Sequence, residues 1–457
     1  MSQIAACEVI RTLRDAGHAA FIVGGAVRDL LLGRAAHDFD VATAATPATV
    51  QALFPRVIPT GIKHGTVTVM QGPDAIEVTT FRVDQGGADG RHPDAVTFVT
   101  DIREDLARRD FTVNALALDP TTGEIVDPFG GQADLAARTL RAVGDASARF
   151  AEDGLRVLRA VRFASTLGFT VHPDTLAAIP GAIPTLRKVS RERVRDELVK
   201  MLAAPVVPSF GLRLLMDTGL LAEVLPDLVP QIGMVQNHHH IFTVWGHTLE
   251  VLDAADPSVR LAALLHDVGK PATIAPHANP GEFSFHGHEA VGAEMAGSIL
   301  RDLKFSNEEI ARTVGLIANH GLFIRATWEG AGIRRFIRKV GAENIPALFA
   351  LRAADLAGGH TDADAPAALA ALRGLVDAEM AKARPLAVTD LALSGAAIIA
   401  VLGCKPGPVV GQVQRALLER VLDDPDLNTV DTLTGLVREV AGDGPFTRQP
   451  TKRELQK

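Results

Sequence analysis

The sequence predicts a multidomain protein: an α/β head built on a small mixed sheet with helices, followed by an all-α neck, a further helical domain and a helical tail. Three observations carry this. Up to about Leu118, short β-like runs alternate with helical patterns and Gly-rich turns. After Asp127-Pro-Phe-Gly-Gly the apolar periodicity becomes helical and stays so to the end. The length, 457 residues, exceeds a single ordinary core.

A hydrophobic share of 47% beside 22% charged residues excludes a disordered chain. A formal net charge of -8 excludes a globally basic nucleic-acid binder, so any polyanion site must be a local basic patch. Cys7 and Cys404 lie too far apart in sequence to make a disulfide framework, and a reducing cytoplasm is the natural reading. No stretch offers about 18 uninterrupted apolar residues, so no membrane span is expected.

Along the chain, MSQIAACEVIRTLRDAG spaces Ile4, Cys7, Ile10 and Leu13 like one face of a helix and lacks the apolar core of a signal peptide. FIVGG, FDVAT, TVTVM, IEVTTFRV and AVTFV read as strands, and VDQGGADGRHPDA (Val83 to Ala95) as a loop too glycine-rich to pack. In FIVGGAVRDLLLGRAAHDFDVAT, Gly24 and Gly25 end a strand and open a helix, Ala26 to Leu32, closed by Gly33. Free backbone N–H groups and the positive end of the helix dipole then converge into a phosphate seat. Asp38 and Asp40 bracket Phe39, so strand alternation sends both carboxylates to one face, roughly 7 Å apart, and Phe39 into the core. Two like charges on one face call for a cation, and Mg²⁺ takes one or two carboxylates plus substrate phosphates. Either element alone is commonly a tight turn or a polar strand end.

Together, GG-x-x-R-D, a short helix closed by glycine and D-x-D resemble the head signature of the DNA polymerase beta superfamily of nucleotidyltransferases, in the branch of bacterial tRNA CCA-adding enzymes and poly(A) polymerases. The resemblance continues through IEVTTFR, whose Glu77 is a candidate third catalytic carboxylate; through DGRHPD; and through LARRDFTVNALALD at Arg108, Arg109, Asp110 and Asn114. RFAEDGLRVLRAVRFA matches the motif in which Glu152, Asp153 and Arg156 would read the incoming base. The resemblance implies two-metal attack of a 3′-hydroxyl on the α-phosphate of a nucleoside triphosphate, with two Mg²⁺ ions on Asp38 and Asp40. Arg28, Arg109 and the amides of Gly24 and Gly25 would clamp the triphosphate, and Arg108 and Asp110 would contact the ribose. PRVIPTGIKHGTVTVM lacks the paired arginines usual in poly(A) polymerases, so the text resembles the CCA-adding branch, with CTP, ATP and tRNA as substrates. A poly(A) polymerase, or an enzyme adding only part of CCA, is the alternative.

Asp153 and Arg156, three apart on a helix, would present side by side. A carboxylate only accepts and a guanidinium only donates, so the pair suits cytosine and adenine, which offer an amine donor beside a ring-nitrogen acceptor. Uracil and guanine reverse that order.

The remaining chain is helical. Arginines and lysines crowd residues 138–200, each taken singly a solvated face, and breaks fall at Ala204-Pro205 and Arg384-Pro385. The expected division is head 1–140, neck 141–205 for base recognition and RNA, HD domain 206–380 and RNA-binding tail 381–457. VWGHTLEVLDAADPSVRLAALLHDVGKP places His266-Asp267 at the end of an apolar helix. With His247 before it and Asp355 far downstream, it resembles the HD phosphohydrolase ligand set, which implies a divalent metal such as Ni²⁺, Mn²⁺, Fe²⁺ or Mg²⁺ and phosphatase or 2′,3′-cyclic phosphodiesterase activity. His288 and His320 fall where two-metal HD domains have further ligands; polar loop histidines are the alternative. The triplet His238-His239-His240 reads as a solvated loop. DLALSGAAIIAVLGCKPGPVVGQVQRALLERVL resembles the tail of long CCA-adding enzymes, with Gly403, Gly407 and Gly411 around Lys405 in a turn able to hold RNA phosphates. From another class, the chain could be an HD hydrolase whose head only binds RNA. Oligomeric state is not legible.

Overall fold

Alternation of apolar residues with polar ones builds the sheet of the head. The strands are β1 (Ala20–Val23), β2 (Asp40–Thr43), β3 (Val57–Gly61), β4 (Thr66–Gln71), β5 (Asp74–Thr80), β6 (Arg82–Gln85), β7 (Ala95–Phe98), β8 (Ala117–Leu118) and β9 (Ile125–Val126). The computed structural model describes residues 3–85, 95–205, 207–237, 241–277, 282–321, 330–359, 361–382 and 384–442. The 86–94 part of the glycine-rich loop, with DGRHPD in it, and the triplet His238-His239-His240 lie outside them. Seven strands form one sheet in the order β3-β4-β5-β2-β1-β8-β9, and β6 and β7 make a separate hairpin. β2 and β5 run parallel, and the other pairs of the sheet antiparallel. Ile22, Val41, Val67, Val69, Ile76 and Val78 are fully buried in it. Buried Phe81 interrupts IEVTTFRV, so the single run expected there is two strands, β5 and β6.

The first helix, Gln3–Asp15, lies against β1, β2, β4 and β5. Its buried residues are Ala5, Ala6, Val9, Ile10 and Leu13, while Ile4 is 73% exposed. The expected stripe through Ile4 and Cys7 is therefore turned, with the small Ala5 and Ala6 bringing the first turn onto the sheet.

Two compact units make up the chain, Met1–Ile232 with Ser298–Ser306, and Gly233–Gly297 with Asn307–Lys457. In the first, the Leu155–Leu167 helix packs against those of Arg191–Leu202 and Ser209–Asp217. Residues 206–232, grouped by sequence with the HD region, thus belong with the neck helices. Helical periodicity after residue 131 holds apart from two-residue ladders, Thr139–Leu140 with Thr170–Val171 and Ala275–Pro276 with Phe283–Ser284.

The second unit is helical. Val244–Ala254, Arg260–Leu265 and Ile345–Ala357 pack on one another through Leu249, Leu252, Leu264, Leu348 and Leu351. Its last three helices, Gly395–Leu402, Pro408–Asp423 and Val430–Gly442, share a core of Ile398, Val413, Leu417, Leu433 and Val437. Gly403, at φ 61°, ends the first of them and exposed Lys405 sits in the turn that follows, whereas Gly411 lies inside the next helix rather than in the turn. Arg334 ties this region together from inside: Nη1 meets Glu379 Oε1 at 2.6 Å, and Nε and Nη2 donate to the carbonyls of Leu422 (2.7 Å) and Asp423 (3.0 Å). No helix among the described residues is long and apolar enough to cross a membrane.

Candidate active site and metal centre

In the first unit a cleft of about 680 Å³ opens beside the sheet. Gly24, Gly25, Arg28, Asp38, Asp40, Glu77, Arg108, Arg109, Asp110, Asn114, Asp153 and Arg156 all line it, which leaves Glu152 as the nucleotide-site residue singled out on sequence that does not. The sheet explains the acidic corner. Asp40 pairs with Val23, the residue before Gly24, and the parallel register Val41–Val78, continued by one residue, sets Asp40 beside Glu77. Both point away from the apolar face to which Phe39, Val41 and Val78 contribute. Asp38 and Asp40 both line the cleft and Phe39 is buried, but Asp38 lies ahead of the strand rather than in it. β1 ends at Val23, so β2 has a ladder partner only from Asp40, and Asp38 is an exposed residue of the approach.

Burial, with Glu77 and Asp38 adding repulsion against the pull of Arg109, pushes the Asp40 carboxyl up to about 6. The three carboxylates are not gathered as tightly as a ready-made cage: among the described residues, the groups with all ligand atoms within 4.8 Å of one another lie in the second unit. That suits Mg²⁺, which takes few carboxylates and leaves positions to phosphate oxygens.

Opposite the acids stand the cations. Gly24 opens the Gly25–Leu31 helix at φ 72°, and a Cβ there would sit 2.8 Å from Arg109 Nη1. Fully buried Asp105 fixes Arg108 (2.8 Å) and Arg109 (3.5 Å), and buried Arg109 Nε has no partner among the described residues. Asn114 bridges two further residues, accepting from Arg28 Nη1 at 2.7 Å and donating to Asp110 Oδ1 at 3.2 Å.

Asp153 and Arg156 do not share a helix. Ala146–Glu152 ends before Asp153, whose backbone is extended, and Leu155–Leu167 begins after Gly154. A Cβ on Gly154 would lie 2.5 Å from the backbone of Thr185 and Leu186, so only glycine fits between the two helices there. Asp153 caps the second helix through Leu155 N (3.0 Å) and is gripped by Arg193 at 2.8 and 3.3 Å. Arg156 reaches Glu152 Oε2 (2.6 Å) and the carbonyls of Arg149 (2.9 Å) and Arg108 (3.0 Å). Sequence reasoning missed Arg193 and Arg159; Arg159 pairs with Asp110 at 2.6 Å and holds its carboxyl low against burial. The signal for Arg159 was its spacing, three residues after Arg156; for Arg193 there was none beyond the basic run.

In the second unit His247, His266, Asp267, Asp355, His288 and His320 converge, so His288 and His320 are not loose loop residues. His266 follows the Arg260–Leu265 helix, His288 opens the His288–Asp302 helix and His320 follows Asn307–Asn319. Gly269 allows the approach, since a Cβ there would run into His288 O and Gly292 N. Each histidine donates Nδ1–H to a carbonyl: His247 to Gly358 (2.9 Å), His266 to Ala263 (2.8 Å), His288 to Phe285 (2.8 Å) and His320 to Ile317 (2.7 Å). A carbonyl can only accept, so the neutral rings all turn a bare Nε2 lone pair inward.

Those lone pairs face each other at 3.3 Å in two pairs, His247 with His266 and His288 with His320, an arrangement that repels unless a cation lies between them. Asp267 stands between the pairs, Oδ2 at 3.1 Å from His266 and Oδ1 at 3.4 Å from His288, and buried Oδ2 accepts no well-directed hydrogen bond. Asp355 Oδ1 is 3.0 Å from His247. Burial, then the neighbouring His266, depress His320 to about 3, so the ring is neutral at any ordinary pH. Burial opposes protonation of His266 too, but Asp267 and Asp355 override it and raise that imidazole. The donor set fits one or two divalent metal ions.

Comparison with known proteins follows the same layout. A family described as Poly A polymerase head domain matches residues 20–141, one described as Probable RNA and SrmB- binding site of polymerase A matches 168–232, and HD domain matches 238–357. CCA-adding enzymes of Lactobacillus johnsonii (51% identical over 220 residues, 48% of this chain and 55% of that protein) and Geobacillus kaustophilus (50% over 229 residues, 50% and 56%) are similar to it. The match thus spans about half the length of these curated relatives. Among solved structures, the Bacillus stearothermophilus CCA-adding enzyme in complex with CTP superposes with a TM-score of 0.74 at 32% identity, over 96% of this chain and 98% of that one. A 19% identical Thermotoga maritima CCA-adding enzyme complexed with tRNA, TM-score 0.51, shares the fold. On the near-complete alignment at 32% identity, the chain belongs to the tRNA nucleotidyltransferase and poly(A) polymerase family, among relatives that are CCA-adding enzymes.

Proposed function

We propose that the protein adds CCA to tRNA 3′ ends from CTP and ATP in the head cleft, and that the HD cluster is a metal-dependent phosphohydrolase acting on RNA phosphate ends. The observation that carries the first part is the cleft itself, lined by the acids Asp38, Asp40 and Glu77, by arginines anchored on Asp105 and Asn114, and by Asp153 with Arg156. Relatives named CCA-adding enzyme, one of them solved with CTP, support the same reading. Mg²⁺ held by Asp38 and Asp40, with Glu77 beside them, would supply Lewis-acid stabilisation of the transferring phosphate. Arg28, Arg109 and the amides of Gly24 and Gly25 bind and orient the triphosphate, and positioning and electrostatics carry most of the rate. Arg108 and Asp110 serve the ribose.

Asp153 takes the exocyclic amine of C or A on the lone pairs that Arg193 and Leu155 leave. Arg156, with three hydrogen bonds to Glu152, Arg149 and Arg108, keeps guanidinium hydrogens for the ring nitrogen. U and G would face acceptor with acceptor and donor with donor, a mismatch of ~1–3 kcal/mol per buried group.

We assign the four-part division of head, neck, HD domain and tail to these roles, with Lys405 contacting RNA phosphate and the cytoplasm as the compartment. In the HD cluster a divalent ion would supply an activated water; the histidines and Asp355 hold it, and Asp267 reaches both halves. Incubation of a tRNA lacking CCA with CTP, ATP or both, followed by sequencing of the ends, tests the first part: CC with CTP alone and CCA with both are expected, and a homopolymeric A tail overturns it. Release of phosphate from 3′-phosphorylated or 2′,3′-cyclic RNA ends, absent in His266→Ala, tests the second.

A further inference from the structure

Each acidic ligand of the HD cluster has a cation one helical turn away, and the roles above leave both cations unused. Lys270 stands three residues after Asp267 with Nζ 2.7 Å from Oδ2, its side chain 6% exposed. A buried ammonium is rare without partners, and this one has a second: Gln236 Oε1 accepts from Nζ at 2.6 Å. Gln236 is itself buried, and its amide donates to Phe242 O at 3.2 Å. On the other side Arg352 stands three residues before Asp355 and binds Oδ2 through Nη1, so that Oδ1 is left to face His247.

The consequence is electrostatic. Four inward imidazoles are neutral as ligands, and the two carboxylates carry the negative charge that attracts a cation. Lys270 and Arg352 cancel it. A bare cluster of four imidazoles and two uncompensated carboxylates would hold a divalent ion far more tightly than the cluster present, because like charges raise the cost of bringing a cation in.

We propose that Lys270, held by Gln236, and Arg352 set the charge of the HD centre: they weaken its grip on the divalent ion so that it exchanges, and leave the loaded centre net cationic, suited to a dianionic phosphate monoester. This rests on the reading of the cluster as a metal site. A merely structural role, in which the two cations only hold the carboxylates in place, makes the opposite prediction for metal affinity, since loosened ligands bind more weakly.

The test uses the full chain stripped of metal, titrated calorimetrically with Mn²⁺ and then, when loaded, with inorganic phosphate. His266→Ala titrated in parallel defines whatever the head carboxylates bind. Lys270→Met and Arg352→Met should each bind Mn²⁺ on the order of tenfold more tightly than wild type, with phosphate affinity of the loaded protein falling by a similar factor. Arg352→Lys should restore both. The metal-free Met variants should melt lower than wild type and gain more from Mn²⁺. Arg352 lies at the edge of the cluster, 17% exposed, and its variant carries the test if Lys270→Met does not fold. Unchanged or weaker Mn²⁺ binding in a folded variant overturns the inference and leaves the metal site standing. If wild type takes up no more Mn²⁺ than His266→Ala, the metal reading fails and the inference with it.

Discussion

Asp40→Asn should make the metal-free protein more stable while removing nucleotide addition, and the size of the gain follows from the site. Burial, Glu77 and Asp38 raise this carboxyl from 3.8 to about 6. Well below pH 3.8 the side chain is protonated whether the chain is folded or not, and the shift has no effect on stability. As pH rises through 3.8 the unfolded chain releases the proton while the folded one keeps it, so stability falls until the folded group ionises near 6; above that the full cost stands. About two pKa units at 1.36 kcal/mol each set an upper bound of about 3 kcal/mol, trimmed to ~1–3 because Asp40 is only partly buried. Asparagine keeps the shape and carries no charge. In a folded unit of this size each kcal/mol moves Tm by roughly 2–4 °C. The assay is thermal unfolding of wild type and variant without metal, near pH 8 and near about pH 4, followed by Mg²⁺ addition at the higher pH. The variant should melt higher near pH 8, by far less near pH 4, and gain less from Mg²⁺. Equal or lower melting near pH 8 would refute the claim that Asp40 is an unsatisfied charge kept for a cation.

Two further outcomes are expected. Gly24→Ala forces a side chain into φ 72° and against Arg109 Nη1, so it should cost ~1–3 kcal/mol and weaken CTP binding; unchanged affinity for CTP means that Arg109 is not a triphosphate clamp. Arg334→Met strands buried Glu379, a loss of ~3–5 kcal/mol in the second unit that Lys382, 2.8 Å away, holds to the lower end. Arg334→Met with Glu379→Leu should recover most of it, and a double variant no more stable than the single shows that the buried pair is not what the single variant loses.

What the sequence made legible is what depends on local spacing. Two glycines before a helix, D-x-D at a strand and His-Asp at a helix end each fix their own neighbourhood, and Gly24, Asp40 and His266 stand where that local logic puts them. What escaped depends on chain segments meeting. Asp153 and Arg156 looked like one helical face because three-residue spacing suggests it, but Asp153 is extended, and the Ile183–Leu186 helix lies so close to Gly154 that no side chain fits there. The sign was present in Asp153-Gly154, a capping residue followed by the one residue without a side chain. Nothing local marks Arg193 or Gln236, whose partners stand 40 and 34 residues away.

The two centres also resolve carboxylate repulsion in opposite ways. In the head, the Asp40 carboxyl is raised by burial first and then by its neighbours Glu77 and Asp38, and Arg109 offsets this in part. In the HD cluster, Asp267 and Asp355 are held well below the usual carboxylate range: burial opposes this, but His266 and Lys270 at Asp267, and His247, His266 and Arg352 at Asp355, outweigh it. A site whose acids are destabilised until a cation arrives gains most when ion and triphosphate come together, so the head should fill cooperatively with substrate. A site whose acids are already compensated and whose lone pairs are aimed by four backbone carbonyls is organised before any ligand binds, so the HD centre should take up its metal with little change in shape and with no dependence on nucleotide.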